Sequence, residues 1–187
     1  MIGNTLLDAR KLLRECGVGP GMHVADFGCG MAGHMVLPAS LMVGENGRVY
    51  AVDIMPQALE SLQSRLASGG HLNTDIIWGD FEREEGVQIE AGTLDRIFFV
   101  NNLWVVNDLR AVLREMRRLL NPSGRILIVD WSPRTESLVA PPVEHRTDVM
   151  EVMRHLAGEG WQGLYDFSAG EHHYGIQAML DEKLANS

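Results

Sequence analysis

A single doubly wound α/β domain with a mostly parallel sheet is the fold class this sequence predicts, on three observations. Short apolar runs alternate with helix-period segments along the 187 residues. The first apolar run leads straight into a glycine-rich turn, Gly28-Cys-Gly30-Met-Ala-Gly33. The last two apolar runs are separated by a short turn, which allows a hairpin and hence one antiparallel edge strand. A chain of this length buries one substantial core and not two, so one domain over residues 1–187 suffices.

Each element has its own signal. Asn4 can cap an opening helix over residues 6–16, stopped by Gly17, Gly19, Pro20 and Gly21. Residues 22–27 form the first strand; the glycine turn follows, then a helix ending near residue 43 that Pro38 should kink. The second strand is 47–52. Pro56 starts a helix over 57–67, at the position where its missing N–H costs least. Strands follow at 74–78 and, past a glutamate-rich loop, at 94–100. Asp108 caps an amphipathic helix over 109–120, Asn121-Pro122-Ser123-Gly124 ends it, and 125–131 is the fifth strand. A proline-bearing loop leads to a helix over 148–158 whose start, Asp148-Val-Met-Glu151, has capping-box form. Strands at 163–167 and 172–179 close the chain.

Composition argues against several functions. A net charge of −9 repels phosphate backbones, so no nucleic acid is expected as partner. Two cysteines, Cys16 and Cys29, make neither a disulfide framework nor a metal-binding cluster, and no metal is expected. The first residues lack the apolar core of a signal peptide, and no apolar run is long enough to span a bilayer. The expectation is a cytoplasmic protein without a membrane span.

The glycine turn has two readings. Gly28, Gly30 and Gly33 match G-x-G-x-x-G and Asp53 follows at the end of the second strand, as in the fingerprint of NAD-dependent oxidoreductases. Asp26 favours another ligand. A pyrophosphate there would face a carboxylate with no compensating cation. S-adenosylmethionine has no phosphate; it carries an ammonium and a sulfonium, which a carboxylate attracts, and its own carboxylate suits the amides at the following helix start. Asp53 could accept both ribose hydroxyls, and Asp80, closing the third strand, the adenine amino group. Carboxylates ending three successive strands gather at the carboxyl edge of the sheet, where open α/β folds bind ligands.

Four stretches carry a resemblance: Val24-Ala-Asp-Phe-Gly-Cys-Gly30, Val49-Tyr-Ala-Val-Asp53, Trp78-Gly-Asp80 and Leu119-Leu-Asn-Pro-Ser-Gly-Arg-Ile-Leu-Ile-Val-Asp130. Across residues 22–131 the sequence resembles the class I S-adenosylmethionine-dependent methyltransferase superfamily, within it the group that includes the ubiquinone-biosynthesis type enzymes. The resemblance implies a Rossmann-like sheet of seven strands, the last antiparallel, with S-adenosylmethionine over the first two strand ends. It further implies that Gly28 and Gly30 cradle the methionyl part and Asp26 lies near its ammonium. Asp53 would take the ribose, Ile54, Asp80 and Phe81 would surround the adenine, and the backbone at Asn101 would approach the methionyl amine. One position departs from the pattern: the family's third glycine is Ala32 here, with Gly33 one place later.

Methyl transfer needs alignment and exclusion of water more than a base. Candidate groups facing a small-molecule acceptor are Asn102, Trp104, Asp130, Trp131 and Arg134, with His34 on the helix after the glycine turn. Trp104 as core, and Asp130 with Arg134 as an ion pair tethering the loop, are the competing structural readings. His172 and His173 point to opposite faces of a strand, so at least one is structural. Glu82, Glu84 and Glu85 read as a solvated loop. Short loops, or a second subunit in a homodimer, must meet the acceptor. A non-catalytic, cofactor-binding regulatory subunit is the other alternative to the oxidoreductase.

Overall fold

The computed structural model describes residues 7–180. Asp8 opens the first helix, its carboxylate accepting the Lys11 N–H at 3.0 Å, so α1 spans Ala9–Glu15. The expected cap, Asn4, lies outside the described residues. The chain then alternates as expected: β1 (His23–Phe27), α2 (Val36–Val43), β2 (Arg48–Asp53), α3 (Pro56–Gly69), β3 (Thr74–Trp78), β4 (Leu94–Val100), α4 (Leu109–Leu119), β5 (Leu120–Trp131), α5 (Val149–Gly158), β6 (Trp161–Ser168) and β7 (His173–Leu180). Asp108 and Asp148 cap α4 and α5, accepting from Ala111 N–H at 3.0 Å and Met150 N–H at 2.9 Å.

The seven strands form one sheet in the order β3-β2-β1-β4-β5-β7-β6. β1 to β5 pair in parallel; β7 runs antiparallel to both β5 and β6. The antiparallel strand is therefore interior, and β6 is the edge, whereas the hairpin argument put the antiparallel strand at the edge. Alternation along β1 divides the core: Val24 packs with α1, α2 and α3, while Ala25 and Phe27 pack with α4 and α5.

Two local differences have simple causes. Pro38 falls in the first turn of α2, where few N–H groups have helical partners anyway, so it costs the helix less than an interior proline would. Residues 121–124 belong to β5 as an irregularity: pairing jumps from Leu94–Leu120 to Arg96–Arg125, and the Asn121 side chain accepts the Ser123 N–H at 3.0 Å.

The strand order reverses between β1 and β4. The chain leaves β1 toward β2 and β3, then returns to build β4 on the other side, which opens a crevice at their carboxyl ends.

Candidate cofactor site at the strand switch

The end of β2 organises this crevice. Val52 O accepts the N–H groups of Gly28 and Cys29 at 2.8 and 3.1 Å, drawing the glycine turn over β2. Asp53, next along, accepts the Gly30 N–H on Oδ2 and the Met55 N–H on Oδ1, each at 2.9 Å. Each carboxylate oxygen thus has one protein donor and a further acceptor direction to spare. Gly28 and Gly30 adopt φ of 75° and 61°, a region that disfavours side chains.

A cavity of 350 Å³ lies here, lined by Gly28, Gly30, Asp53, Ile54, Met55, Gly79, Asp80, Phe81, Glu82, Asn101, Asn102, Trp104, Val105 and Val106. Its size falls in the range of small-molecule sites. A larger cavity of 460 Å³, lined among others by Ser40, Arg48, His71 and Asn73, opens at the amino edge of the sheet, away from the strand switch. Of the eight residues expected around a cofactor, seven line the 350 Å³ cavity.

Asp26 is the eighth, and it is not on the lining. Its side chain is 3% exposed, and burial, then the charge of Asp53, push its pKa up to about 7. The same two carboxyls, after burial itself, drive the buried Cys29 thiol well above its ordinary pKa. Asp26 is thus buried within reach of the Asp53 charge and is not part of the cavity lining.

Asn101 bends the chain at the end of β4. It holds φ of 61°, a conformation asparagine tolerates better than most residues, and its N–H donates to Val129 O at 2.8 Å. Its backbone carbonyl accepts the Trp104 indole N–H at 3.2 Å, while its side-chain Oδ1 is buried without a partner among the described residues. Phe81 stacks on Phe27 at 5.4 Å and meets Phe99 edge-on at 5.6 Å, so the aromatic core extends to the cavity wall.

The candidate acceptor residues separate. Trp104 lines the cavity, half exposed, and Asn102 lines it too. Asp130 does not: it is buried, accepts the N–H groups of Leu103 at 2.9 Å and Trp131 at 2.7 Å, and burial raises its pKa to about 6 against those hydrogen bonds. Arg134 pairs with Asp148 at 3.4 Å instead of Asp130. His34 sits half-buried against the backbone at Leu7; burial lowers its pKa, and Nε2 has no partner among the described residues. Trp131 packs against His173, ring centroids 4.0 Å apart. Tyr174 on the opposite face donates to Thr147 O at 2.9 Å, which makes it structural.

The sequence reading missed Met55, Gly79, Glu82, Val105 and Val106 on the lining. Met55 and Gly79 directly adjoin the expected Ile54 and Asp80. Glu82 is not simply part of a solvated loop, because its carboxylate accepts the N–H groups of Asn107 and Asp108 at 2.9 and 2.7 Å, joining the two loops that flank the cavity.

The glycine turn opens directly into a helical turn: the Leu37 N–H donates to Gly33 O at 3.0 Å, and the regular helix α2 is counted only from Val36 because Pro38 has no N–H to continue the ladder. A helix start in this place is compatible with both readings of G-x-G-x-x-G.

Known proteins agree with this arrangement. Along 132 residues the chain is 28% identical to a ubiquinone/menaquinone biosynthesis C-methyltransferase of Hahella chejuensis, covering 70% of this chain and 51% of the relative. It is 31% identical over 118 residues to nocamycin O-methyltransferase of Saccharothrix syringae, covering 63% of this chain and 41% of that one. The chain thus spans about half the length of the curated relatives it matches. Its fold matches a crystal structure of a SAM-dependent methyltransferase from Aquifex aeolicus with TM-score 0.86 and 26% identity, covering 94% of this chain and 91% of that one. The methyltransferase domain model matches residues 19–174, and with the strand switch and its acid-lined crevice it shows that the chain belongs to the S-adenosylmethionine-dependent methyltransferase family.

Proposed function

We propose that the protein transfers a methyl group from S-adenosylmethionine to a small-molecule acceptor by in-line displacement, with the cofactor in the 350 Å³ cavity. The observation that carries this reading is the Asp53 carboxylate, fixed by Gly30 and Met55 with acceptor capacity left on both oxygens.

The residues present fit the cofactor. Asp53 would accept the ribose hydroxyls, and Ile54, Asp80 and Phe81 would enclose the adenine. Gly28 and Gly30 leave room for the methionyl chain. The orphaned Asn101 Oδ1 suits its ammonium, with the buried Asp26 adding negative potential from below. When bound, the cofactor supplies a methyl group on a sulfonium, activated for displacement. The chain's own part is to orient and to exclude water: Trp104 and Val106 stand over the cavity, and Glu82 holds the loop before α4 against it. Relatives of similar identity are named for carbon and for oxygen methylation, so the acceptor is proposed only as a small molecule.

Apolar side chains stand exposed at the cavity mouth, Trp104 and Val105, and on the loop after β5, Leu138 and Val143. A homodimer covering them is the arrangement proposed, checked by light scattering. The function itself is tested by calorimetric titration with S-adenosylhomocysteine, with NADH as control. Absence of S-adenosylhomocysteine binding by folded protein sinks it. Binding without methyl transfer to any acceptor of a broad panel leaves a regulatory subunit.

A further inference from the structure

Asn102 was expected to face an acceptor, yet its amide nitrogen is turned to the backbone. Nδ2 donates to Phe27 O at 2.9 Å, Val100 O at 3.0 Å and Gly28 O at 3.3 Å, two hydrogens shared among three carbonyls. Those carbonyls belong to the end of β1, the end of β4 and the glycine turn, so one side chain ties both sides of the strand switch together. The Gly28 residue is then held twice, its N–H by Val52 O at 2.8 Å and its carbonyl by Asn102. The fit is close: a Cβ on Gly28 would run into the Asn102 carboxamide.

We propose that Asn102 is a positioning residue for the cofactor, holding the glycine turn in its binding shape and so setting affinity for the methionyl half. This rests on the proposed seat of the methionyl chain at Gly28 and Gly30. The nucleoside half has separate anchors: Asp53 is also fixed by Met55, and Asp80 accepts the Glu82 N–H at 3.1 Å. Losing Asn102 therefore loosens one half of the site and spares the other. A carbonyl stripped of its donor beside the cavity also favours turn conformations that differ from the one shown here.

The test is calorimetric titration of wild type, Asn102→Ala and Asn102→Asp with two probes, S-adenosylhomocysteine and adenosine. Both variants bind S-adenosylhomocysteine at least about tenfold more weakly and adenosine as wild type does. The aspartate variant adds a pH signature. Ionised, it faces three carbonyls with no donor; protonated at lower pH, it donates again, and its affinity relative to wild type recovers, whereas Asn102→Ala shows no recovery. Equal weakening of both probes, or wild-type affinity for S-adenosylhomocysteine in Asn102→Ala, overturns the proposal. Failure of wild type to bind either probe overturns the proposed function instead, and this inference with it.

Discussion

Asp53 and Gly30 are joined by a hydrogen bond of 2.9 Å from the glycine amide to carboxylate Oδ2, while the Met55 N–H holds Oδ1 independently of the glycine turn. Asp53→Ala removes the proposed ribose acceptor and also strands the Gly30 and Met55 amides. Affinity for S-adenosylhomocysteine is expected to fall at least about 100-fold, and stability by about 1–2 kcal/mol. Calorimetry and thermal melting measure the two losses. Wild-type affinity in this variant would place the ribose elsewhere.

Asp26→Asn should trade cofactor affinity for stability. Native Asp26 titrates near 7, raised by burial and then by Asp53, while an unfolded aspartate ionises near 3.8. Between those values the native state holds the proton that the unfolded state has lost, so this group's contribution to stability falls as pH rises through the window. The asparagine variant should melt higher than wild type at pH 8, by at least on the order of 1 kcal/mol, with the advantage gone near pH 4. A cation in the cavity favours ionised Asp26, so wild-type affinity for S-adenosylmethionine should drop as pH falls below about 7, whereas the variant's stays flat. A flat wild-type profile would count against the electrostatic account.

Gly28→Ala puts a side chain at φ of 75° and against Asn102. The backbone alone costs roughly 1–2 kcal/mol. Because the collision is with one side chain, Asn102→Ala in the Gly28→Ala background should relieve part of the loss, giving a coupling of about 0.5–3 kcal/mol by denaturant unfolding of the four proteins. Strict additivity would show that Gly28 and Asn102 do not share this contact.

Much of this arrangement was legible in the sequence because it depends on local pattern. Val24 to Gly30 and Val49 to Asp53 are apolar runs ending in acids and glycines, and such runs mark strand ends whatever packs around them. What was not legible depends on which way a side chain turns in three dimensions. Asp130 looked like an acceptor ligand, but the turn at residues 103–105 presents the Leu103 N–H to it and takes its carboxylate. Asp26 was expected to face the ligand, but the glycine turn folds back over β2 through Val52 O, and Asp26 does not reach the cavity lining. Asn102 follows Asn101 in a pair that spacing cannot tell apart; one amide is used up on carbonyls and the other leaves its oxygen free. The interior place of β7 depends on long-range pairing with β5, which no local signal encodes.

His173 carries an acid liability that can be removed without emptying the core. It is 3% exposed, packs on Trp131, and neither ring nitrogen has a partner among the described residues. Burial, then the neighbouring His172, lowers its pKa from 6.5 to about 4. Between those values the unfolded chain binds a proton that the native protein refuses, so the stability associated with neutral His173 is present at high pH and lost as pH falls. Phenylalanine keeps a flat ring against Trp131 and has no proton to bind. His173→Phe should therefore gain on wild type at pH 5 relative to pH 8, by on the order of 2 kcal/mol. Urea unfolding at both values measures the difference. An equal effect at the two pH values would mean that His173 takes a proton in the folded protein as readily as in the unfolded chain.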